Sequence, residues 1–289
     1  MKKLLGIFGI LIFVSCGGDD GLSFEEQLAI DIATIDSYLD ENNIDAQIHS
    51  TGIRYVNRTE GTGRTPMPTE VVVIRYDLVL LGTDEVVGLS EFGDSFIMDD
   101  NLMRALFFLL QEMKEGGEMT IYSPSGYAFG GASNSLIPPN SNIEINVELL
   151  SVIRTEAEQF AADTAIIDRF LDANEIDALI HPTGIRYTVL SVGSGDSPDP
   201  SGQVNISYEG RLLNGRVFDQ SLEGTSFSIN RLIEAWQIMI PTMKPGGRIT
   251  IYAPSTYCYG PDGALDGFGN VVIPPNANLI FDIDLIAIE

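Results

Sequence analysis

Two stretches of the chain repeat apolar residues at the spacing of an amphipathic α-helix. Each follows a capping-box pattern, Ser23-x-x-Glu26 in the first and Thr155-x-x-Glu158 in the second, which satisfies free amides at a helix start. We therefore expect one helix after each box, packed against its own domain, with a partner-binding helix as the alternative. The apolar positions are Leu28, Ile32, Ile35 and Leu39 in the first stretch and Ala162, Ile166, Phe170 and Leu171 in the second.

Alternating and β-branched residues between Gly- and Pro-containing turns predict strands in the last third of the chain. One helical segment, residues 230–239, interrupts them and ends before Pro241. The pattern indicates an α+β fold in which a strongly bent antiparallel sheet wraps on a single helix. The predicted strands are residues 185–190, 204–213, 248–253 and 279–288.

The chain contains two copies of one unit. Residues 35–55 and 167–187 are identical at 15 of 21 positions, at an offset of 132. Two further pairs follow at offsets of 130 and 136, namely residues 113–130 with 243–260 and residues 136–150 with 272–286. This succession indicates a tandem duplication with short loop insertions and a boundary near residue 154.

The first residues have the pattern of a targeting signal. Two lysines precede an apolar run over residues 4–14, which is shorter than the roughly 20 residues that a membrane-spanning helix needs. The run ends in Val14-Ser15-Cys16, which resembles a bacterial lipobox. We therefore expect a signal peptide over residues 1–15, a lipid on Cys16 and a place in the bacterial cell envelope, at the outer membrane. An ordinary secretory signal with an incidental cysteine is the alternative.

Acidic residues outnumber basic residues by 41 to 16, which gives a net charge of −25. Nucleic-acid binding depends on Lys and Arg contacts with phosphate, so this composition excludes a nucleic-acid-binding protein. The same charge would repel anionic lipid headgroups. Lipid on Cys16, rather than charge, would therefore hold the protein to a membrane.

Few residues could bind a metal ion or act as nucleophiles, because the chain has 2 His and 2 Cys. His49 and His181 occupy equivalent positions in the two copies, which favours a structural role. Cys258 lies between two tyrosines and is interpreted as a buried small hydrophobe, with a reactive thiol as the alternative. The acidic loop 193–202 lacks the ligand spacing of a calcium site. We expect no metal and no cofactor.

An ordered set of motifs in the second copy carries the candidate chemistry. In chain order they are Tyr208, residues 210–221 (GRLLNGRVFDQS), the single tryptophan Trp236, residues 257–260 (YCYG), Ile273-Pro274-Pro275 and residues 281–285 (FDIDL). Together they resemble the FKBP-type peptidyl-prolyl isomerases over about residues 180–289. The first copy resembles the same family more weakly, over about residues 48–152. The resemblance implies two tandem FKBP-like domains, each a five-stranded antiparallel half-barrel closed by one helix.

The resemblance also implies a substrate pocket in the second copy. Its catalytic residues would be Tyr208, Phe218, Asp219, Trp236, Tyr259 and Phe281, and its further substrate contacts would be Leu232, Ile233, Val272 and Ile273. Trp236 would form the floor between aromatic walls. The Ile233 amide and the Tyr259 hydroxyl would donate hydrogen bonds to ligand carbonyls, and Asp219 would be a buried carboxylate beside the pocket.

Two features depart from the family pattern. Thr225 stands where many members have a bulky apolar residue, so one rim of the pocket would be more polar. The loop 261–270 is longer than the compact family version and would border the pocket. Both differences bear on which substrates the pocket prefers.

The implied activity is peptidyl-prolyl cis-trans isomerisation, which assists protein folding in the cell envelope. Its partners would be proline-containing polypeptides, and a macrolide of the FK506 type would be a further ligand. The reaction consumes nothing, so it needs no cofactor. Two alternatives stay open, a non-catalytic binding or chaperone module with the same fold and a structural subunit of an envelope complex.

The two copies differ at the pocket positions, which predicts activity in the C-terminal copy. Alignment places Val87 opposite Phe218, Gly88 opposite Asp219, Leu106 opposite Trp236, Phe129 opposite Tyr259 and Ile145 opposite Phe281. Only Tyr76, opposite Tyr208, keeps its aromatic and polar character. The expected parts are a lipidated tether and helix over 16–47, a degenerate FKBP-like domain over 48–153, a helical linker over 154–179 and an isomerase domain over 180–289.

Overall fold

The computed structural model describes residues 22–132 and 136–289. It contains two units of the same architecture, each with a long helix, an antiparallel sheet and a short helix packed on that sheet. The expected signal peptide and the expected lipidation site at Cys16 lie outside the described residues. Among the helices of the described part, none is both long enough and apolar enough to cross a membrane.

The first and second units have the same order of elements. The first unit consists of α1 (Phe24–Glu41), β1 (Gln47–Ile48), β2 (Arg54–Thr59), β3 (Val71–Leu80), β4 (Val86–Ile97), α2 (Arg104–Leu110), β5 (Glu118–Ser123) and β6 (Ile143–Ile153). The second consists of α3 (Glu156–Ala173), β7 (Leu179–Ile180), β8 (Arg186–Val192), β9 (Gln203–Leu212), β10 (Val217–Ser228), α4 (Glu234–Met239), β11 (Gly247–Ala253), the hairpin strands β12 (Ala264–Leu265) and β13 (Val271–Ile273), and β14 (Leu279–Ile288).

The two large sheets have the same topology, which confirms the tandem α+β architecture. The strand order is β1-β2-β5-β6-β3-β4 in the first unit and β7-β8-β11-β14-β9-β10 in the second. All pairs in both sheets are antiparallel. Each sheet therefore has the five long strands that the resemblance implies, plus one two-residue strand at an edge.

Both predicted capping boxes are present at the starts of α1 and α3. Each helix also carries a buried aspartate that fixes it to its own unit. The Ser125 hydroxyl donates to Asp31 at 2.6 Å, and the Ser255 hydroxyl donates to Asp163 at 2.6 Å. The helices therefore pack as expected, each against the sheet that follows it.

The helix α3 also packs against the first unit, so it is not a free linker. Its Ala162 and Ile166 share an apolar cluster with Val73 of β3 and Ile153 of β6. The Arg169 guanidinium donates to the Phe92 carbonyl at 3.1 and 2.9 Å. These contacts join the two units directly through a helix that the sequence analysis assigned to a linker.

The core of the second unit lies between its sheet and α4. Alternate residues of β14 point to one face of the sheet, and Phe281, Ile283 and Leu285 are buried there. Trp236 and Met239 of α4 pack into the same cluster. The alternation in the sequence predicts this face, and it brings Phe281 against the tryptophan.

Among the longer elements of the second unit, one helix and one strand differ from the sequence prediction. The helix expected over residues 230–239 begins at Glu234, because Leu232 and Ile233 are extended after a 3₁₀ turn at Ile229–Arg231. Strand β10 was not predicted. Its sequence lacks regular apolar alternation, because β10 is the edge strand of the sheet and most of its side chains are exposed or half-buried.

The histidines and Cys258 have local structural environments. Nδ1 of His49 lies 2.7 Å from the Thr51 hydroxyl, and Nδ1 of His181 lies 2.8 Å from the Thr183 hydroxyl. Cys258 packs against the core of the second unit, and burial raises the pKa of its thiol. A raised pKa disfavours the reactive thiolate, so the structure supports the interpretation of Cys258 as a small hydrophobe.

Candidate active site

Trp236 is surrounded by the aromatic rings that the sequence singles out. It lies on α4 with 5% of its surface exposed. Its ring centroid is 4.9 Å from that of Tyr208 and 5.3 Å from that of Phe281, both in edge-on arrangements. Edge-to-face packing of this kind fixes the rings relative to one another. The short helix therefore holds Trp236 at the base of an aromatic cluster.

Phe218 extends this cluster along the sheet. Its centroid is 5.8 Å from that of Phe281, at an interplanar angle of 89°. The ring fits because residue 210 on the neighbouring strand β9 is glycine. A Cβ at Gly210 would lie 2.7 Å from Phe218 Cζ and 3.0 Å from Phe281 Cε1. The absence of a side chain at Gly210 therefore allows both rings to lie over the strand.

Asp219 lies next to Tyr208 but is not buried. The Tyr208 hydroxyl donates to the Asp219 carboxylate at 2.7 Å. Burial, reinforced by this carboxylate, raises the pKa of Tyr208. The expectation that Asp219 is buried is wrong, because β10 is an edge strand and leaves the carboxylate exposed to solvent.

Two hydrogen-bond donors beside the cluster have no partner among residues 22–132 and 136–289. The amide of Ile233 precedes the first turn of α4, where helix amides have no internal acceptor. The Tyr259 hydroxyl is the second donor, and 37% of the Tyr259 surface is exposed. Burial, with contributions from Cys258 and Asp219, raises the pKa of Tyr259, so its hydroxyl keeps its proton at neutral pH. Both donors are free to bind a ligand carbonyl.

The remaining predicted contacts lie around the same cluster. Leu232, Val272 and Ile273 all pack on the core that contains Trp236. The Arg216 guanidinium donates to the Val272 carbonyl at 2.8 Å and so fixes β13 beside the turn before β10. The long loop expected over residues 261–270 contains the two-residue strand β12, which pairs with β13 directly after the loop.

Sequence reasoning missed two features of the site. Phe227 on β10 lies 6.3 Å from Trp236 and 6.1 Å from Tyr208, measured between ring centroids, and adds a further wall. The available signal was the position of Phe227 as an apolar residue between polar neighbours in the segment 225–228 (TSFS). The indole Nε1 of Trp236 is buried with no hydrogen-bond partner in the part of the chain that the structure describes. An unsatisfied buried donor costs about 1–3 kcal/mol.

Thr225, which the sequence analysis places at a rim of the pocket, is exposed on β10. The Thr225 and Ser221 hydroxyls lie 2.7 Å apart on the two sides of a bulge in β10. This hydrogen bond ties the two arms of the bulge together at the exposed edge of the sheet.

In the first unit a larger side chain occupies the position of Gly210. Strand register pairs Gly88 with Leu78, just as it pairs Asp219 with Gly210, so Leu78 occupies the position of the permissive glycine. Leu78 is buried, and a Cβ at Gly88 would lie 2.8 Å from Leu78 Cδ1. The larger side chain on β3 therefore takes the space that aromatic walls take in the second unit.

Tyr76 of the first unit has a different acidic neighbour. Asp94 borders a cavity of about 450 Å³ between the two units, and its carboxylate lies near Tyr76. Burial, reinforced by Asp94, raises the pKa of Tyr76 to about 12. The carboxylate that accompanies this tyrosine therefore comes from the β4 residue paired with Ile74 and not from the position equivalent to Asp219.

A family model described as FKBP-type peptidyl-prolyl cis-trans isomerase matches residues 62–150 and 195–286. These two ranges cover more than half of the chain. The fold, the aromatic cluster and this match agree on the class of protein. The chain belongs to the FKBP-type peptidyl-prolyl cis-trans isomerase family, with two copies of the domain.

Individual relatives match part of the chain. The peptidyl-prolyl cis-trans isomerase Mip of Coxiella burnetii is 40% identical over 109 residues, which are 37% of this chain and 45% of the relative. The FKBP-type isomerase FkpA of Escherichia coli is 34% identical over 110 residues, which are 37% of this chain and 38% of the relative. The chain thus spans less than half the length of each. A solved isomerase from Pseudomonas syringae is similar at 29% identity with a TM-score of 0.39, over 48% of this chain and 99% of that one.

Proposed function

We propose that the chain is a peptidyl-prolyl cis-trans isomerase and that its active site is the aromatic cluster of the second unit. The observation that carries the proposal is the enclosure of Trp236 by aromatic rings next to two unpaired donors. The predicted residues that form or adjoin the cluster are Tyr208, Phe218, Asp219, Leu232, Ile233, Trp236, Tyr259, Val272, Ile273 and Phe281.

The chemistry of the reaction suits such a pocket. Rotation of an X–Pro bond must overcome amide resonance, a barrier of about 18–20 kcal/mol. The twisted bond has lost resonance and its carbonyl is less polar, so an apolar pocket stabilises it relative to the planar ground state. A site that binds the twisted state more tightly than the planar state accelerates the rotation. No group is transferred, so no nucleophile is required.

The two free donors would orient the substrate. The Ile233 amide and the Tyr259 hydroxyl can bind carbonyls that flank the proline and hold the twisted geometry. Asp219 would act through Tyr208 as a positioning residue, because it accepts the Tyr208 hydroxyl at 2.7 Å. Substrate would enter from the exposed side, where Tyr259 and Asp219 reach solvent.

A proline-containing tetrapeptide assay coupled to a protease tests this function. Full-length Trp236→Leu and Asp219→Val should each lower kcat/KM at least about tenfold, equal to about 1.4 kcal/mol of transition-state stabilisation. Leu106→Met changes the equivalent position of the first unit at similar volume and is the matched control. Unchanged turnover in both site variants would contradict the site assignment.

The same assay separates catalysis from the alternative of a binding or chaperone module. The second unit carries the full cluster, whereas Leu78 fills the equivalent space in the first. We therefore assign the activity to the second unit and give the first the role of a spacer or client-holding domain. Wild-type protein that binds the peptide without accelerating its isomerisation would support the non-catalytic alternative instead.

We further propose that the protein assists folding in the cell envelope, anchored by a lipid on Cys16 at the outer membrane. The support is the apolar run and the Ser15-Cys16 pattern of the sequence. Wild-type protein should incorporate a radioactive fatty acid in bacterial cells, and Cys16→Ala should not. An unlabelled wild-type protein would contradict the anchor without bearing on the isomerase site.

A further inference from the structure

One edge of the second sheet is open. The short strand β7 pairs only with Arg186 and Tyr187 at the start of β8. Of the next five residues of β8, Thr188, Val189, Ser191 and Val192 pair with β11 on one side, and Leu190 lies in a one-residue bulge between them. No hydrogen bond to another described residue satisfies the backbone groups on their other side. We refer to residues 188–192 as the open edge.

The open edge is apolar and exposed. Val189, Leu190 and Val192 expose 45%, 61% and 71% of their surface. The adjoining strand β7 adds Leu179 and Ile180, which expose 55% and 66%. An exposed apolar edge strand presents both unpaired backbone groups and side chains that water solvates poorly, so it is a template for strand addition.

The duplicated first unit shows that the fold does not require apolar residues here. Strand register pairs Asn57 with Met119 and Val189 with Ile249, and both strands have a one-residue bulge immediately afterwards. The bulge therefore places Arg58 opposite Leu190 in the alignment of the units, and Glu60 opposite Val192. The same edge is thus charged in one copy and apolar in the other.

The charged residues of the first unit protect its edge. Glu60 forms an ion pair with Lys114 at 3.5 Å, and Arg58 donates to the Thr120 hydroxyl at 2.9 Å. Charged side chains on an edge strand oppose pairing with another chain, because pairing would desolvate them. The second unit lacks these charged residues and has the same strand topology.

The size and charge of the molecule argue against a second copy of the chain as the occupant. Five residues of strand extend about 17 Å, a strip too short for the roughly 800 Å² per partner of a stable interface. Two copies would also bring together two net charges of −25. A short, reversible contact suits an extended segment of a flexible polypeptide, which supplies its own unpaired backbone groups.

We propose that the open edge binds an extended, apolar segment of an unfolded polypeptide as an added β-strand. The bound segment would pair with the free side of β8, and its side chains would contact Leu190, Val192 and the exposed residues of β7. Main-chain hydrogen bonds do not depend on sequence, so the site would accept many different segments. Strands β9, β14 and β11 separate β8 from β10, so this site is distinct from the aromatic cluster.

A reciprocal exchange between the two copies tests the proposal. Leu190→Arg with Val192→Glu gives the second edge the residues of the first, and both positions are exposed enough to tolerate the change. Binding of reduced, carbamidomethylated ribonuclease A, a permanently unfolded chain, should weaken about tenfold by fluorescence anisotropy. Arg58→Leu with Glu60→Val should add a second binding site. Tetrapeptide turnover should not change in either variant, so the result does not depend on the isomerase assignment.

Amide hydrogen exchange distinguishes strand addition from loose apolar contact. Saturating unfolded ribonuclease A should slow exchange of amides within residues 188–192, and the Leu190→Arg, Val192→Glu variant should lose this protection. Equal binding by wild type and variant, or no protection of these amides, would overturn the proposal. Sedimentation that shows a wild-type dimer converted to a monomer by the same variant would also overturn it, since the occupant would then be a second copy.

Discussion

The Phe218 ring lies over Gly210 so closely that a Cβ at residue 210 would come within 2.7 Å of Phe218 Cζ. In the first unit, Leu78 is equivalent to Gly210 and Val87 is equivalent to Phe218. A side chain on the inner strand and an aromatic wall on the edge strand therefore exclude each other. This exchange accounts for the aromatic ring over β9 in the second unit and the leucine side chain in the equivalent place of the first.

Gly210→Ala tests this relationship. The added Cβ must displace Phe218, which is half-buried and can move, so the fold should survive at a cost of about 1–3 kcal/mol. Loss of the wall should lower kcat/KM on a proline tetrapeptide at least about tenfold. Gly267→Ala is the matched control, because a Cβ there has no atom within 4 Å. Equal activity of Gly210→Ala and wild type would show that the Phe218 wall does not matter.

Tyr208→Phe removes the hydroxyl that donates to Asp219 but keeps the ring beside Trp236. A hydrogen bond of this kind contributes about 0.5–1.5 kcal/mol, so we expect kcat/KM to fall about fivefold. The ring contacts remain, so the melting temperature should change little. Tyr76→Phe in the first unit makes the same chemical change and should leave turnover unaltered; a loss of activity there would implicate the first unit in catalysis.

Sequence reasoning predicts the parts of the fold that have local or repeated signals. The helix starts at Ser23 and Thr155, the alternation of β14 and the duplication are all visible in the residues, and the structure confirms them. The edge strand β10 was not predicted, because apolar and polar residues need not alternate in a strand whose side chains are exposed. The exposure of Asp219 follows from that edge position, which depends on strand order rather than on any motif.

Long-range contacts could not be predicted from local patterns. Nothing near Arg169 in the sequence indicates that its guanidinium reaches the Phe92 carbonyl, 77 residues away. Gly210 begins the motif over residues 210–221, but only the strand pairing shows which rings lie over it. Phe227 likewise becomes part of the site only when β10 folds back beside Trp236.

Trp236 provides a direct optical test of ligand binding, since it is the single tryptophan of the chain. Its indole Nε1 is buried without a partner in the described structure, so a ligand that fills the site should change its emission. A macrolide of the FK506 type should produce a saturable fluorescence change, weaker in Gly210→Ala. The same additions to N-acetyltryptophanamide correct for absorption by the ligand. A change that does not saturate would argue against binding at Trp236.

Arg169→Met tests how firmly the units are joined. Burial lowers the pKa of the Arg169 guanidinium, yet its two hydrogen bonds to the Phe92 carbonyl hold it in place. Loss of these charge-assisted bonds should weaken the contact between the units by about 1.5–3 kcal/mol. The two units should then melt in separate transitions in calorimetry. Arg248→Met breaks an exposed ion pair with Asp284 instead and should have little effect. Coincident melting in Arg169→Met would contradict a stabilising role.

Asp163 should make the stability of the protein depend on pH between about 4 and 6. Burial raises the pKa of this carboxyl from 3.8 to about 6, although Ser255 and Gln159 donate hydrogen bonds to it. A raised pKa means that Asp163 holds its proton more tightly in the folded state than in the unfolded state. The contribution of Asp163 to the free energy of unfolding is therefore complete below pH 3.8 and is lost as the pH rises through about 6. At about 1.4 kcal/mol per pH unit, the loss approaches 3 kcal/mol by pH 7. Asp163→Asn removes the titration but keeps an acceptor for Ser255, so it should gain stability relative to wild type as the pH rises from 4 to 7, measured by urea unfolding. Asp172→Asn, an exposed change on the same helix, is the control, and parallel pH curves for wild type and Asp163→Asn would refute the assignment.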